Sequence, residues 1–79
     1  MIWQEKEGAL IARFSFNTYS EAFAFVKSLA LHSEAVNHHP LVLWDYTLIE
    51  LRLTTKDKAN TISSLDRDFA DWVLRFLAN

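Results

Sequence analysis

Residues 34–40 read Glu-Ala-Val-Asn-His-His-Pro. Histidine is the side chain whose ordinary pKa, near ~6.5, lets it give and take a proton at neutral pH. Two imidazoles in a row, followed by a rigid proline, could present one ring to a ligand and the other to a supporting partner. Glu34 stands four residues before His38. If a helix continues that far, the two share a face, and the carboxylate would orient the imidazole or raise its pKa. A second reading makes His38 and His39 the cap of a helix C-terminus, where donor or cationic side chains help the exposed carbonyls. A third takes Glu34 and the two histidines as zinc ligands. The chain has no cysteine, and His32 lies six residues before His38 on another side of the helix. No further ligand completes a set, so no metal is expected.

The elements that position these residues follow from pattern. Residues 2–6 suggest a short strand and Gly8 a turn. In residues 9–16, Leu10, Ala12, Phe14 and Phe16 alternate with Ile11, Arg13 and Ser15, the mark of a half-buried strand. Thr18 with Glu21 fits a capping box. Tyr19, Ala22, Phe23, Val26, Leu29, Ala30 and Ser33 then recur at helical spacing as one apolar stripe. That helix must stop before Pro40, because the residue before a proline is pushed out of the helical region. Residues 41–54 are a β segment with Ile49, Leu51 and Leu53 inward and Glu50, Arg52 and Thr54 outward. The run is long for one strand, so a hairpin break is placed near Thr47–Leu48, although no Gly or Asn marks it. After a polar loop over 55–62, a second helix runs from Ser63 or Ser64 to about Leu77. Its apolar stripe is Leu65, Phe69, Trp72, Val73 and Phe76, and Asp66 and Asp68 suit the positive end of its dipole. The order ββαββα packs most economically as a two-layer α+β domain, a four-stranded antiparallel sheet with both helices on one face.

Composition bounds the function. The 79 residues suit a single domain, 1–79, and 51% of them are hydrophobic and 14% aromatic. Either the core is dense, or a second subunit covers part of the apolar surface; Phe69, Trp72 and Phe76 favour a homodimer or a larger homo-oligomer. The formal charge is −2 with no basic block, which gives direct nucleic-acid binding no electrostatic support. Without cysteine there is no disulfide or thiolate chemistry. The start does not read as a signal peptide, and no apolar run nears the ~20 residues that span a bilayer. A soluble, cytoplasmic protein is expected, without a membrane partner.

Glu34, His38, His39 and Pro40, with Tyr46 six residues after the proline, resemble the pterin-4a-carbinolamine dehydratases (4a-hydroxytetrahydrobiopterin dehydratases). Upstream, Phe14-Ser15-Phe16, Tyr19, Ala22, Phe25 and Ala30 are similar to that family's second strand and first helix. Downstream, Leu53-Thr54-Thr55 resembles its strand end and Ser63-Ser64-Leu65-Asp66 its helix start. The resemblance implies the same ββαββα fold. It also implies dehydration of the 4a-carbinolamine of a tetrahydropterin to the quinonoid dihydropterin, part of tetrahydrobiopterin recycling, with no metal or organic cofactor. His38 and His39 would be the acid–base pair, supported by Glu34. Asn37, Pro40, Trp44, Tyr46, Lys56 and Asp66 would complete the substrate site. A pterin would be the substrate, an aromatic amino acid hydroxylase a candidate partner, and a homodimer or homotetramer the assembly. The chain departs from the family at Lys56, where a third histidine is usual. It departs also in a loop without glycine, and at Val42, where an aromatic is usual and Trp44 lies on the same strand face. These departures keep open a non-catalytic pterin-binding, protein-assembly or coactivator module on the same scaffold. Asp66 has a simpler role open to it as well, as N3 of a capping box with Ser63.

Overall fold

The computed structural model describes residues 2–78. Strand β1 (Gln4–Lys6) turns into β2 (Ala9–Ser15) through Glu7 and Gly8, both with positive φ, 52° and 78°. Two left-handed residues give a tight turn whose twist matches that of the strands it joins. A Cβ on Gly8 would lie 2.1 Å from the carbonyl oxygen of Asn60, and the Gly8 carbonyl accepts a hydrogen bond from Thr54 Oγ1. Conformation and space both demand glycine there.

Helix α1 spans Tyr19–Val36. Thr18 Oγ1 accepts from the Glu21 N–H, and Glu21 reaches back to the N–H of Asn17, one residue before the cap, so the capping box is real but displaced at one end. Its buried face is Ala22, Phe25, Leu29 and Ser33, with Val26 packed against the core. This differs from the expected stripe: Tyr19 and Phe23 are about half exposed. The reason lies in Phe25, whose ring packs among Phe14, Phe16 and Phe76 with centroids 5.2–6.1 Å away. Turning Phe25 inward swings Tyr19 and Phe23 to the rim, where they cover Trp44.

Strands β3 (Leu41–Asp45) and β4 (Leu48–Leu53) form the expected hairpin, closed by Tyr46 and Thr47. Tyr46 takes φ 53° without being glycine or asparagine, and Trp44 Nε1–H donates to its carbonyl at 2.8 Å. The sheet is antiparallel in the order β1-β2-β4-β3, so α1 carries the chain across it and β3 becomes an edge. Leu10, Ala12, Ile49, Leu51 and Leu53 point to the helices and are buried. On the other face, Glu50 takes hydrogen bonds from Arg13 and Arg52, which hold its carboxyl below the usual range.

After β4 the chain makes a short 3₁₀ turn (Lys56–Lys58), pinned by a bridge between Thr55 and Thr61. Helix α2 spans Ser64–Ala78. Phe69, Ala70 and Val73 are buried and Trp72 packs against the core, whereas Leu65 (46%) and Phe76 (37%) of the expected stripe remain partly in solvent. The fold is the α+β arrangement that the pattern implies, with both helices on one face of an open sheet.

Candidate active site

The helix that carries Glu34 ends at Val36 because Asn37 adopts the left-handed conformation (φ 53°, ψ 45°). Asparagine tolerates this better than most residues, and as a C-terminal cap it diverts the chain. The N–H groups of Asn37 and His38 both go to the Ser33 carbonyl. The backbone therefore closes this helix end, and the two imidazoles serve as neither cap nor helical face.

Their partners are different carboxylates. His38 Nε2 meets Asp66 Oδ1, from the first turn of α2, at 2.6 Å. His39 Nε2 meets Glu34 Oε2, from the last turn of α1, at 2.5 Å. The expected Glu34–His38 contact does not form, because an i,i+4 pair needs helix through His38 and the Asn37 turn removes it. The two dyads differ in environment. The His38 and Asp66 side chains are 11% and 0% exposed, those of His39 and Glu34 55% and 78%.

Asp66 is held from several sides. Its Oδ2 accepts from Thr55 Oγ1 (2.7 Å) and from the Ser63 N–H (2.9 Å), while Oδ1 takes His38. The capping box and the histidine contact are thus one carboxylate doing both tasks with separate oxygens. Burial pushes its pKa up, but the hydrogen bonds from Ser63, His38 and Thr55 outweigh that and leave it below the ordinary aspartate value. An ionised carboxylate only accepts hydrogen bonds, so His38 must donate from Nε2. Its Nδ1 is then the free acceptor whenever the ring is neutral.

Both histidines, with Asn37, Thr54, Thr55 and Lys56, line a cleft of about 350 Å³. His39 also borders a neighbouring groove of about 260 Å³, floored by Leu29, Pro40 and Val42. Lys56 thus stands on the wall where the family resemblance sets a third histidine. Trp44 and Tyr46 lie apart, at the far end of β3, in an aromatic group with Tyr19 (centroids 5.1 and 6.0 Å) and Phe23. The remaining histidine, His32, stacks on Trp72 at 4.0 Å; burial and then Arg75 lower its pKa.

Thr55, which bonds the Asp66 carboxylate, is a residue of this cluster that the pattern missed. It is 2% exposed, yet the polar run after β4 reads as loop. The signal was there in the alternation, since Leu51, Leu53 and Thr55 share the inward period of two. A hydroxyl at an inward position needs a buried partner.

Known proteins resemble this chain in sequence and in fold. A family profile described as Pterin 4 alpha carbinolamine dehydratase matches residues 2–74. A protein of Prochlorococcus marinus, named provisionally as a pterin-4-alpha-carbinolamine dehydratase, is 40% identical over 68 residues, covering 86% of this chain and 70% of the relative. A Novosphingobium aromaticivorans protein of the same name is 38% identical over 69 residues, 87% of this chain and 71% of its own. Among solved structures, a transcriptional coactivator/pterin dehydratase from Brucella melitensis superposes with TM-score 0.88 at 29% identity, covering 94% of this chain and 80% of that one. A pterin dehydratase-like protein identified as a RuBisCO assembly factor in the alpha-carboxysome superposes at 0.74, also at 29% identity, covering 90% and 81%.

Proposed function

The chain belongs to the pterin-4a-carbinolamine dehydratase family, and we propose that it removes water from a 4a-hydroxytetrahydropterin to give the quinonoid dihydropterin. The observation that carries the reading is a pair of adjacent imidazoles, each held at Nε2 by its own carboxylate, on one cleft. The reaction needs a proton delivered to the leaving 4a-hydroxyl as its carbon–oxygen bond breaks, and one taken from a ring nitrogen as the new double bond forms. One histidine gives and the other receives, so the pair returns to its starting charge. Such transfer contributes ~10²–10⁴-fold. The carboxylates fix the rings and stabilise whichever imidazole is charged. Asn37 and Lys56, on the same wall, are donors for the polar edge of the pterin. Among the described residues no helix is long and apolar enough to cross a membrane. A homo-oligomer fits the apolar side chains left on α2, where Leu65, Leu74, Phe76 and Leu77 are each at least 36% exposed.

Lys56 favours a second reading. As a residue type, lysine is less suited than histidine to shuttling a proton at neutral pH. The likeness to a pterin dehydratase-like protein identified as a RuBisCO assembly factor supports this reading. On that reading the chain is a binding module without turnover.

The deciding assay generates the carbinolamine in place with an aromatic amino acid hydroxylase and follows its dehydration with and without this protein. A rate above the spontaneous one that falls in His38→Ala supports the dehydratase. Equal rates in the presence and absence of the protein overturn it in favour of the module.

A further inference from the structure

The Asp66 carboxylate does not rest on backbone alone. Thr55 Oγ1 and Ser63 Oγ are 2.6 Å apart, and either could donate on distance alone. Counting protons removes the ambiguity. A hydroxyl has one hydrogen, and that of Thr55 goes to Asp66 Oδ2, an acceptor only. Ser63 must therefore donate to Thr55, while its own oxygen accepts from the Leu65 N–H at 3.2 Å. The chain of bonds runs one way, from the Leu65 amide through Ser63 and Thr55 to Asp66. The Asp66 carboxylate also accepts a hydrogen bond from the Nε2–H of His38. Thr55, at 2% exposure, has little water to replace a lost partner. Its own amide is tied to the Thr61 carbonyl at 3.0 Å, so the hydroxyl is presented from a fixed backbone.

We propose that Thr55 and Ser63 are positioning residues, whose hydroxyl chain pins the Asp66 carboxylate and so keeps neutral His38 in the Nε2–H form, with Nδ1 as its free acceptor. The pterin dehydratase reading is needed only for the kinetic consequence. The tautomer can be read without any turnover. Charged and titratable groups around His38 come from three directions: Asp66 on α2, Lys56 and Asp57 after β4, and His39 with its partner Glu34 on α1. Of these only Asp66 touches the His38 ring through a hydrogen bond that Thr55 controls.

The test is nitrogen-15 NMR of histidine-labelled protein titrated with acid, with His32 and His39 assigned by single His→Gln variants. In the wild type, His38 should show the Nε2–H tautomer alone while neutral. Thr55→Val keeps the shape and removes the donor. The carboxylate is then free to turn away from the ring, so neutral His38 should show a second tautomer and its titration midpoint should differ from that of the wild type. Thr55→Ser restores the hydroxyl and should return both readings to the wild-type values, which a packing role for the methyl group would not do. A folded Thr55→Val with an unchanged midpoint and a single tautomer overturns the proposal. If that variant does not fold, the wild type alone decides, since an Nδ1–H or mixed His38 overturns it as well. Where the enzyme turns over, the acid limb of its pH–rate profile should move with the NMR midpoint. A moved midpoint without turnover in any variant leaves the hydroxyl chain standing and overturns the dehydratase reading instead.

Discussion

Replacing Asp66 with asparagine tests the buried dyad most directly. The side chain keeps its shape, and its oxygen can still accept from Thr55 and the Ser63 N–H. Its amide group must then face His38 Nε2, which can no longer donate. Either the ring switches to the Nδ1–H form or the contact is lost. Hydrogen bonds to a charged group are worth ~1.5–3 kcal/mol and neutral ones ~0.5–1.5. Weakening two bonds and breaking one, less the relief of no longer burying a charge, gives a cost of about 1–3 kcal/mol. Because the pKa of Asp66 is depressed in the fold, its contribution is fully present above the unfolded value, near ~3.9, and disappears as pH falls through the folded value. The gap between wild type and variant should therefore be widest near neutrality and close in strong acid. Urea unfolding followed by tryptophan fluorescence at several pH values measures it. Dehydration should slow by about 10²-fold or more, the low end of what proton transfer supplies. A gap that does not change with pH, or a variant within about threefold of wild-type rate, would refute the reasoning.

Three other substitutions separate the remaining roles. Glu34→Gln touches an exposed pair, with the glutamate side chain 78% in solvent, so stability should change by under ~0.5 kcal/mol in urea unfolding. The dehydration rate should also fall less than in Asp66→Asn. Lys56→His places a group with an ordinary pKa near ~6.5 on the cleft wall and should raise the dehydration rate at pH 7. An unchanged rate would mean that this position moves no proton. Gly8→Ala should lower stability by about 2 kcal/mol or more in thermal unfolding. It combines a left-handed residue with a Cβ 2.1 Å from the Asn60 carbonyl oxygen, and strained conformations alone cost ~1–3 kcal/mol.

Much of the fold was legible because strand and helix periods leave a direct trace. The alternation Leu10, Ala12, Phe14, Phe16 and the set Ile49, Leu51, Leu53 gave the inward faces of the two central strands correctly. The hairpin break expected near Thr47–Leu48 from length alone falls at Tyr46 and Thr47, between Asp45 and Leu48, and Tyr46 supplies the positive φ usually left to glycine or asparagine. The rotation of α1 was not legible. Tyr19, Phe23 and Phe25 are all apolar, and only the packing of Phe14, Phe16 and Phe76 around one ring selects Phe25 for the core. Of the residues that the sequence singled out, Asn37, His38, His39 and Lys56 line one cleft while Trp44 and Tyr46 lie apart, and the pairing of the carboxylates with the imidazoles was not legible. Sequence spacing ties Glu34 to His38 only while the backbone stays helical. One left-handed residue, Asn37, sends His38 instead to a partner 28 positions away.

That exchange of partners gives the two histidines unequal surroundings, and the inequality is what a two-proton reaction can use. His39 and Glu34 face solvent, so their proton exchanges with water and their mutual attraction is screened. His38 and Asp66 are shielded, so their interaction is stronger and their geometry depends on Thr55 and Ser63 rather than on water. A dehydration that gives one proton and takes another benefits when one group is fixed in its protonation pattern and the other re-equilibrates freely between turnovers. On the proposed dehydratase reading, the buried dyad would supply the first property and the exposed dyad the second. Exchanging the two environments, rather than deleting either histidine, would cost the site this division while leaving its list of residues unchanged.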